Sequence, residues 1–432
     1  MRNLLKLAIL LFVLGTQNSC KQTSKQVCSI PESLNTMTTG SSSHKKLGFN
    51  TSNTFHLPLN EKDIELISSL HAEVLRFPGG TIGNFYHPMG SGYGLIPSEF
   101  QSLEGKAIET LGNQITKSTK DSSNYLLPFI DLAKKTNASV LLVANVISGT
   151  PQELEYLIST ILQSSLKIEG VELGNELFLP AYVNYFPTAN EYLNRITPFV
   201  DLLKANYPSI PFSIPVSFGH SGVKRATDWN SEIHDKGKSD YLSIHYYSDP
   251  TKKDYVEDFE ARYKLLLKLF PNKHFWLSEF NLLHPGKEFG NTHYQALQNS
   301  RLISHALMNC IELDILIYHN LLGSDKAFSL LSKDKNETKQ NYSFQPFSTF
   351  FNCNNQATYS KVCDHSFACF QGGKISIAGT TKEEIQMEIP SFMLKESAKY
   401  KLQLYTDKSI DVQAIRSKAI TLPANSFYFI TQ

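Results

Sequence analysis

From residue 46 onward, short apolar runs alternate with longer amphipathic stretches. The runs are residues 46–51 (KLGFNT), 73–77, 139–146, 171–174, 212–216, 241–247, 275–278 and 314–318. They are mostly continuous rather than alternating, the pattern of strands covered on both faces. The stretches between them have helical spacing and clear start signals. Asn60 caps a helix over 60–70, with Asp63 three residues on, and 122–136 sets Leu126, Ile130 and Leu132 on one face. Thr150-Pro151-Gln152-Glu153 is a capping box with proline in the first turn, and Thr188 with Glu191 makes a second box. That second helix carries Tyr192, Ile196, Phe199 and Leu203. Eight strand–helix units over roughly 280 residues predict an α/β fold, a closed (β/α)8 TIM barrel, whose usual size is ~250 residues. A doubly wound open sheet is the alternative, but no GxGxxG follows the first strand.

After about residue 356 the pattern changes to short strands at 374–378, 385–389, 399–405, 410–414 and 426–430. Turn residues such as Gly372-Gly373 and Thr406-Asp407 separate them. This predicts a small C-terminal antiparallel β-sandwich. The expected layout is an export signal over 1–19, a linker over 20–45, the barrel over 46–355 and the sandwich over 356–432. The Gly/Ser-rich segment 87–121 has little regular pattern, and its length predicts a functional loop over the C-terminal face of the barrel.

Composition narrows the function classes. Hydrophobic residues at 41% are enough for a sizeable core, and a formal net charge of +1 argues against a nucleic-acid binder. The 20 Tyr and 27 Phe suit a carbohydrate cleft and an ordinary core equally well, so they decide nothing. At the start of the chain, Arg2 and Lys6 precede an apolar run over 7–14 that is too short to span a bilayer. Cys20 and a polar stretch follow. This order resembles a bacterial lipoprotein signal, which implies a lipidated Cys20, a membrane anchor, and a place at the outer membrane or in the periplasm. Simple secretion is the alternative. Cys28, Cys353, Cys363 and Cys369 allow two disulfides in three pairings, whereas Cys310 lies in an apolar helical context and is expected to be a buried thiol. A metal site at Cys363, His365 and Cys369 has no HExxH or paired CxxC motif behind it.

Two strand ends carry the chemistry. VELGNEL (171–177) closes on Asn175-Glu176, and HFWLSEFN (274–281) places Glu279 after an apolar run. Acids at the C-terminal tips of barrel strands read as functional. Two carboxyl groups facing each other fit glycosidic bond cleavage, where one donates a proton and the other attacks the anomeric carbon.

These stretches resemble the acid/base and nucleophile motifs of clan A glycoside hydrolases. LRFPGGT (75–81) resembles the second-strand motif of family 51 arabinofuranosidases and of the related families 39 and 79. Asn145 with Gly149-Thr150-Pro151 resembles their third-strand end, and LPANSFYFI (422–430) the last strand of the attached sandwich. The resemblance implies a retaining O-glycosidase with no metal or organic cofactor. Glu176 would be the acid/base and Glu279 the nucleophile. Asn175 would bind a sugar hydroxyl, and Arg76 would sit near Glu279 and favour its ionised form. His245 and Tyr247 share a strand face and would orient Glu279. Asn145 would touch sugar or position Glu176, and Trp229 would stack on sugar or pack a helix. His319, after Tyr318, ends the eighth strand where many clan A enzymes carry tryptophan. Family 51 implies arabinofuranosides, and the related families add xylosides and uronides. The rival reading is a glycan-binding lipoprotein on an inactive barrel, which would be expected to lose one of the two acids.

Overall fold

The computed structural model describes residues 26–32, 45–52, 59–96, 98–99, 124–219, 223–283, 290–323, 328–334, 337–354, 358–363, 366–371, 374–381, 383–395, 400–406 and 409–431. The expected export signal with Cys20, the serines at 41–43 and most of segment 87–121 lie outside them. After a first strand, β1 (Gln26–Ser29), eight parallel strands close a barrel in chain order. They are β2 (Lys46–Asn50), β3 (Val74–Phe77), β4 (Ser139–Val143), β5 (Ile168–Glu172), β6 (Phe212–Pro215), β7 (Tyr241–Ser248), β8 (His274–Leu282) and β9 (Leu313–Tyr318). Each is followed by a helix: α1 (Glu61–Ser68), α2 (Leu126–Lys135), α3 (Pro151–Gln163), α4 (Ala189–Asn206), α5 (Lys224–Lys236), α6 (Tyr255–Leu269), α7 (His293–Asn309) and α8 (Phe344–Asn354). The helix starts are those the sequence specifies. Asn60 with Asp63, Thr150 with Glu153 and Thr188 with Glu191 each form a reciprocal capping box. Between β9 and α8, the short strands β10 (Leu322–Gly323), β11 (Leu331–Asp334) and β12 (Glu337–Gln340) form a separate three-stranded sheet, which the sequence pattern did not signal.

The barrel is filled near the N-terminal ends of its strands. Val74, Leu141, Trp276, Ile315 and Ile317 form a buried cluster there. The Trp276 indole takes the space left by Gly170, where a Cβ would come within 2.2 Å of it, and stacks on Tyr241 at 4.7 Å. A larger core between strands and helices includes Phe49, Phe77, Phe129, Tyr192 and Phe259.

The C-terminal strands are β13 (Thr358–Cys363), β14 (Ser366–Gln371), β15 (Lys374–Thr381), β16 (Ile385–Glu388), β17 (Lys401–Tyr405), β18 (Ile410–Ala414), β19 (Ala419–Leu422) and β20 (Ser426–Thr431). They make a six-stranded sheet, β13-β14-β15-β20-β17-β18, and a three-stranded one, β1-β16-β19. The sequence pattern missed β13, β14 and β19: Ser360-Lys361 separates Tyr359 from Val362 in β13, and Phe367 and Phe370 in β14 are three residues apart rather than two. Residues 20–45, expected as linker, are corrected in part. Val27-Cys28-Ser29 pair in parallel with Gln386-Met387-Glu388, and Ile30 is buried with Met387 and Ile389. Cys28 is disulfide-bonded and Cys310 is a free buried thiol.

Barrel and sandwich share one core. Ala378, Tyr405, Phe427 and Phe429 belong to the main apolar cluster, and Phe350 of α8 stacks on Phe427 at 4.9 Å. Deleting residues 356–432 would bare this face of α8, whose Phe351 also stacks on Phe49 at 4.9 Å. The truncated chain should be insoluble on expression. A soluble truncation that melts like the full chain would show that the sandwich is an independent module.

Candidate active site

The site is assembled at the C-terminal ends of the strands. β3 delivers Arg76 and leads into Pro78-Gly79-Gly80, whose glycines have φ of 74° and 58°. Gly79 has a steric reason: a Cβ there would lie 1.9 Å from Asn50 Oδ1, so only glycine lets the tip of β2 approach. The following turn, Thr81–Asn84, places Asn84 against the loop after β5. The Asn175 N–H donates to Asn84 Oδ1 at 2.7 Å, and Asn84 Nδ2 donates to the Asn175 carbonyl at 2.8 Å. This clamp steadies a loop that needs it, because Glu176 is left-handed, with φ 51°. That conformation costs a residue with a Cβ roughly 1–2 kcal/mol. On the other side, register shifts between Ile244 and His245, and between Leu277 and Phe280, re-aim the ends of β7 and β8.

Arg76 is completely buried and lies between two buried carboxylates. Its Nε donates to Glu172 Oε2 at 2.7 Å, its NH1 to Glu279 Oε1 at 2.6 Å and its NH2 to Asn175 Oδ1 at 2.9 Å. Burial alone would lower the guanidinium pKa, but Glu172 and Glu279 outweigh it and keep Arg76 charged. Glu279 accepts two further hydrogen bonds, from Asn50 Nδ2 to Oε1 at 2.8 Å and from the Tyr247 hydroxyl to Oε2 at 2.7 Å. Burial opposes its charged form. The positive charge of His245, His319 and Arg76 and the Tyr247 hydrogen bond overcome that and hold its carboxyl far below the usual carboxylate range. Of these cations Arg76 is the permanent one. His319 is pushed toward its neutral form, chiefly by burial. Its Nδ1 also sits 3.0 Å from Asn50 Nδ2, a donor, which fits an unprotonated nitrogen.

His245 stands between the two acids. Its Nδ1 is 3.0 Å from Glu176 Oε1 and 3.7 Å from Glu279 Oε2. Glu279 is too far for a hydrogen bond and the nitrogen makes none with Glu176 either, so both contacts are ones of charge. Burial would lower the pKa of this imidazole, but the two carboxylates raise it on balance. Glu176 is the more accessible acid, with 22% of its side chain exposed against 5% for Glu279.

The expected site residues divide into three groups. Glu176, Glu279, Asn175, His245, Tyr247, His319 and Arg76 come together. Arg76, however, lies beneath the site with no exposed surface, so it cannot contact a substrate. Asn145 is close by but folded back: its Oδ1 accepts from the Ile147 and Ser148 amides and its Nδ2 donates to Ser148 Oγ. No hydrogen bond links it to Glu176. Trp229 is a correction. It is 1% exposed, its Nε1 donates to the Pro215 carbonyl, and its ring packs on Tyr192 at 5.1 Å, so it holds α5 against the barrel. Asn50, Asn84 and Glu172 were not expected. Glu172 did leave a signal in the sequence, as an acid inside an apolar strand that must meet a buried cation.

The described part of segment 87–121 sits at this same face. His87 Nδ1 is 2.8 Å from Glu153 Oε1, and its Nε2 is 3.0 Å from Glu99 Oε2. Both bonds need a doubly protonated ring. Burial would lower its pKa, but the two carboxylates raise it above the ordinary histidine value. A raised folded-state pKa gives stability that is complete below the unfolded value of about 6.5 and is lost as pH rises through the folded value. His87→Gln should therefore melt below the wild type at acidic pH, with the difference closing toward alkaline pH. A difference independent of pH would show that His87 is not the charged clamp.

No family model matches the sequence, and no curated protein matches it at the sequence level. Solved structures match nearly the whole chain. A family 51 α-L-arabinofuranosidase from Thermotoga petrophila superposes with a TM-score of 0.67 at 14% identity, over 95% of this chain and 100% of its own. The catalytic domain of a family 30 xylanase C from Talaromyces cellulolyticus gives 0.57 at 13% identity, over 94% and 99%. A 4-O-α-L-rhamnosyl-β-D-glucuronidase from Fusarium oxysporum gives 0.59 at 10% identity, over 94% and 100%. The chain has the fold of the clan A glycoside hydrolases, as its motifs imply.

Proposed function

We propose that the protein is a retaining O-glycoside hydrolase, with Glu279 as nucleophile and Glu176 as acid/base. The observation that carries this is the pairing of a buried carboxylate, held ionised by Arg76, with a second and more accessible carboxyl group. Both lie close to one imidazole nitrogen. Acids at 3.0 and 3.7 Å from one atom have those oxygens within roughly 7 Å, short of most of the about 6.5–9.5 Å that inverting sites leave for water.

In the first step Glu279 attacks the anomeric carbon while Glu176 protonates the departing oxygen. A glycosyl ester forms on Glu279. In the second step Glu176, now ionised, takes a proton from water, and the water oxygen attacks the same carbon and releases Glu279. Tyr247, Asn50 and Arg76 stabilise Glu279 as it leaves with its charge restored. Arg76 also fixes the orientation of the Asn175 amide by bonding its oxygen, which turns Nδ2 away and leaves it for a sugar hydroxyl. Among the described residues, the one arginine at the pair is fully engaged and buried. That favours an uncharged glycone, such as an arabinofuranoside or a xyloside, over a uronide.

The variants separate the two roles. Glu279→Ala should abolish turnover of any glycoside. Glu176→Ala should lose about 10²–10⁴-fold on natural glycosides and much less in the glycosylation step of an activated aryl glycoside, and azide should restore turnover by intercepting the ester. NMR of the first-formed sugar should show retained anomeric configuration. Inverted product, or an active Glu279→Ala, would refute the assignment.

We further propose that the enzyme is exported and anchored through lipid on Cys20. The basic–apolar–cysteine order at the start of the chain and the disulfide-bonded Cys28 support an oxidising, extracytoplasmic setting. Cys20→Ala should move the protein from the membrane fraction to the soluble one. A wild type already wholly soluble after export would remove the anchor.

A further inference from the structure

A second cleft, of about 510 Å³, lies where the barrel meets the C-terminal sheet. One wall comes from the barrel: Asn291 from the loop after β8, the residues that join β12 to α8, and Gln345 in the first turn of α8. The other wall is one face of the β17–β18 hairpin, where Gln403 lies opposite Val412 and Tyr405 opposite Ile410. None of the lining residues is a partner of Glu176 or Glu279.

The chemistry of the lining is distinctive. Nine described residues line the cleft, and none is charged, although 19% of the chain is. Five are carboxamides, two are tyrosines and two are aliphatic. Several amides have donors to spare. The side chains of Gln340 and Gln345 are exposed and make no hydrogen bond with a described residue. Gln403 Oε1 accepts from the Tyr405 hydroxyl at 3.2 Å, which leaves its Nε2 free to donate. Asn291 Oδ1 accepts from the Tyr342 amide at 3.0 Å, which orients its Nδ2 the same way. Tyr342 itself is 46% exposed. Its backbone is held by that bond and its ring is propped against the His293 ring at 4.1 Å.

An ionic ligand would meet no counter-charge here, and an apolar one would strip water from the amides of Asn291, Gln340, Gln345 and Gln403 without replacing their bonds, Asn341 being buried and bonded to Ser332 and Ser329. Amides that both donate and accept match hydroxyl groups, which do the same. A fixed tyrosine face beside Ile410 and Val412 matches the C–H face of a sugar ring. We propose that this cleft is a second, non-hydrolytic binding site for an uncharged stretch of glycan, through which the protein holds a polymer while the carboxyl pair acts elsewhere on it. The proposal deepens the glycosidase reading, but its test is separable from that reading.

Native gels containing neutral arabinan, arabinoxylan or galactomannan, with anionic polygalacturonate as control, report binding directly. At least one neutral polymer should retard the wild type. Tyr342→Ala and Gln403→Ala should weaken that retardation about threefold to tenfold while hydrolysis of a small aryl glycoside stays unchanged. Gln345→Glu, at an exposed position in the first turn of α8, adds a charge without touching the core and should do the same. It keeps the test decisive should Tyr342→Ala fail to fold. Retardation by no neutral polymer, retardation equal in all variants, or preference for polygalacturonate would overturn the proposal. Loss of retardation in the variants of a protein that cleaves no glycoside would leave the cleft standing and refute the glycosidase reading. Cleavage with retardation untouched by the variants would refute the cleft alone.

Discussion

One buried guanidinium organises this molecule. Arg76 has no contact with water and is tolerated inside the barrel because Glu172, Glu279 and Asn175 occupy its donors. Removing a partner from such a pair leaves an uncompensated charge in a poor dielectric, a loss typically of about 3–5 kcal/mol. The surrounding geometry follows from that constraint. β5 must carry an acid where a buried strand would otherwise be apolar. The loop after β5 must present Asn175 toward the guanidinium, and Asn84 holds it there. β2 must bring Asn50 to the same oxygen of Glu279, which requires glycine at position 79.

The functional consequence is a difference in environment between two nearby carboxyl groups. Glu279 is buried, hydrogen-bonded on both oxygens and faced by a permanent cation, so it is ionised before any substrate arrives. Glu176 lies four residues beyond the end of β5, left-handed and partly open to solvent, with His245 Nδ1 close to both acids. A double displacement needs this asymmetry, one group kept ready to attack and one free to exchange its proton with leaving group and water. Because Arg76 serves Glu279 from beneath, it is unavailable to a sugar carboxylate, so in the proposed reading the ionised state of Glu279 and an uncharged glycone would share one cause.

Much of this was legible in the sequence. Continuous apolar runs specified the eight barrel strands, since each must be buried on both faces, and three capping boxes marked helix starts to the residue. Acids after the apolar runs of β5 and β8 marked the pair, although Glu176 lies four residues beyond β5 and Glu279 inside β8, which continues to Leu282. What stayed hidden depended on contacts distant in sequence. Asn50 and Asn84 look like ordinary loop amides until β2, β3 and β5 are side by side. Trp229 could stack on sugar or pack a helix, and only the placement of α5 against Tyr192 decides for packing. β1 could not be found because its partner, β16, lies more than three hundred residues along the chain. Glu172 is a further readable clue: an acid between Val171 and Leu173 in VELGNEL calls for a buried cation, and Arg76 in LRFPGGT is its answer.

The central claim is that Glu279 becomes covalently bonded to the sugar. Intact-protein and peptide mass spectrometry after incubation with 2-deoxy-2-fluoro glycosyl fluorides of the candidate sugars, including the arabinofuranosyl and xylosyl forms, tests it most directly. The electron-poor sugar slows release of the ester more than its formation, so the adduct should accumulate. The account predicts one added glycosyl group, on the peptide that contains Glu279. A label on Glu176, or hydrolysis of the reagent with inversion and no adduct, would contradict it.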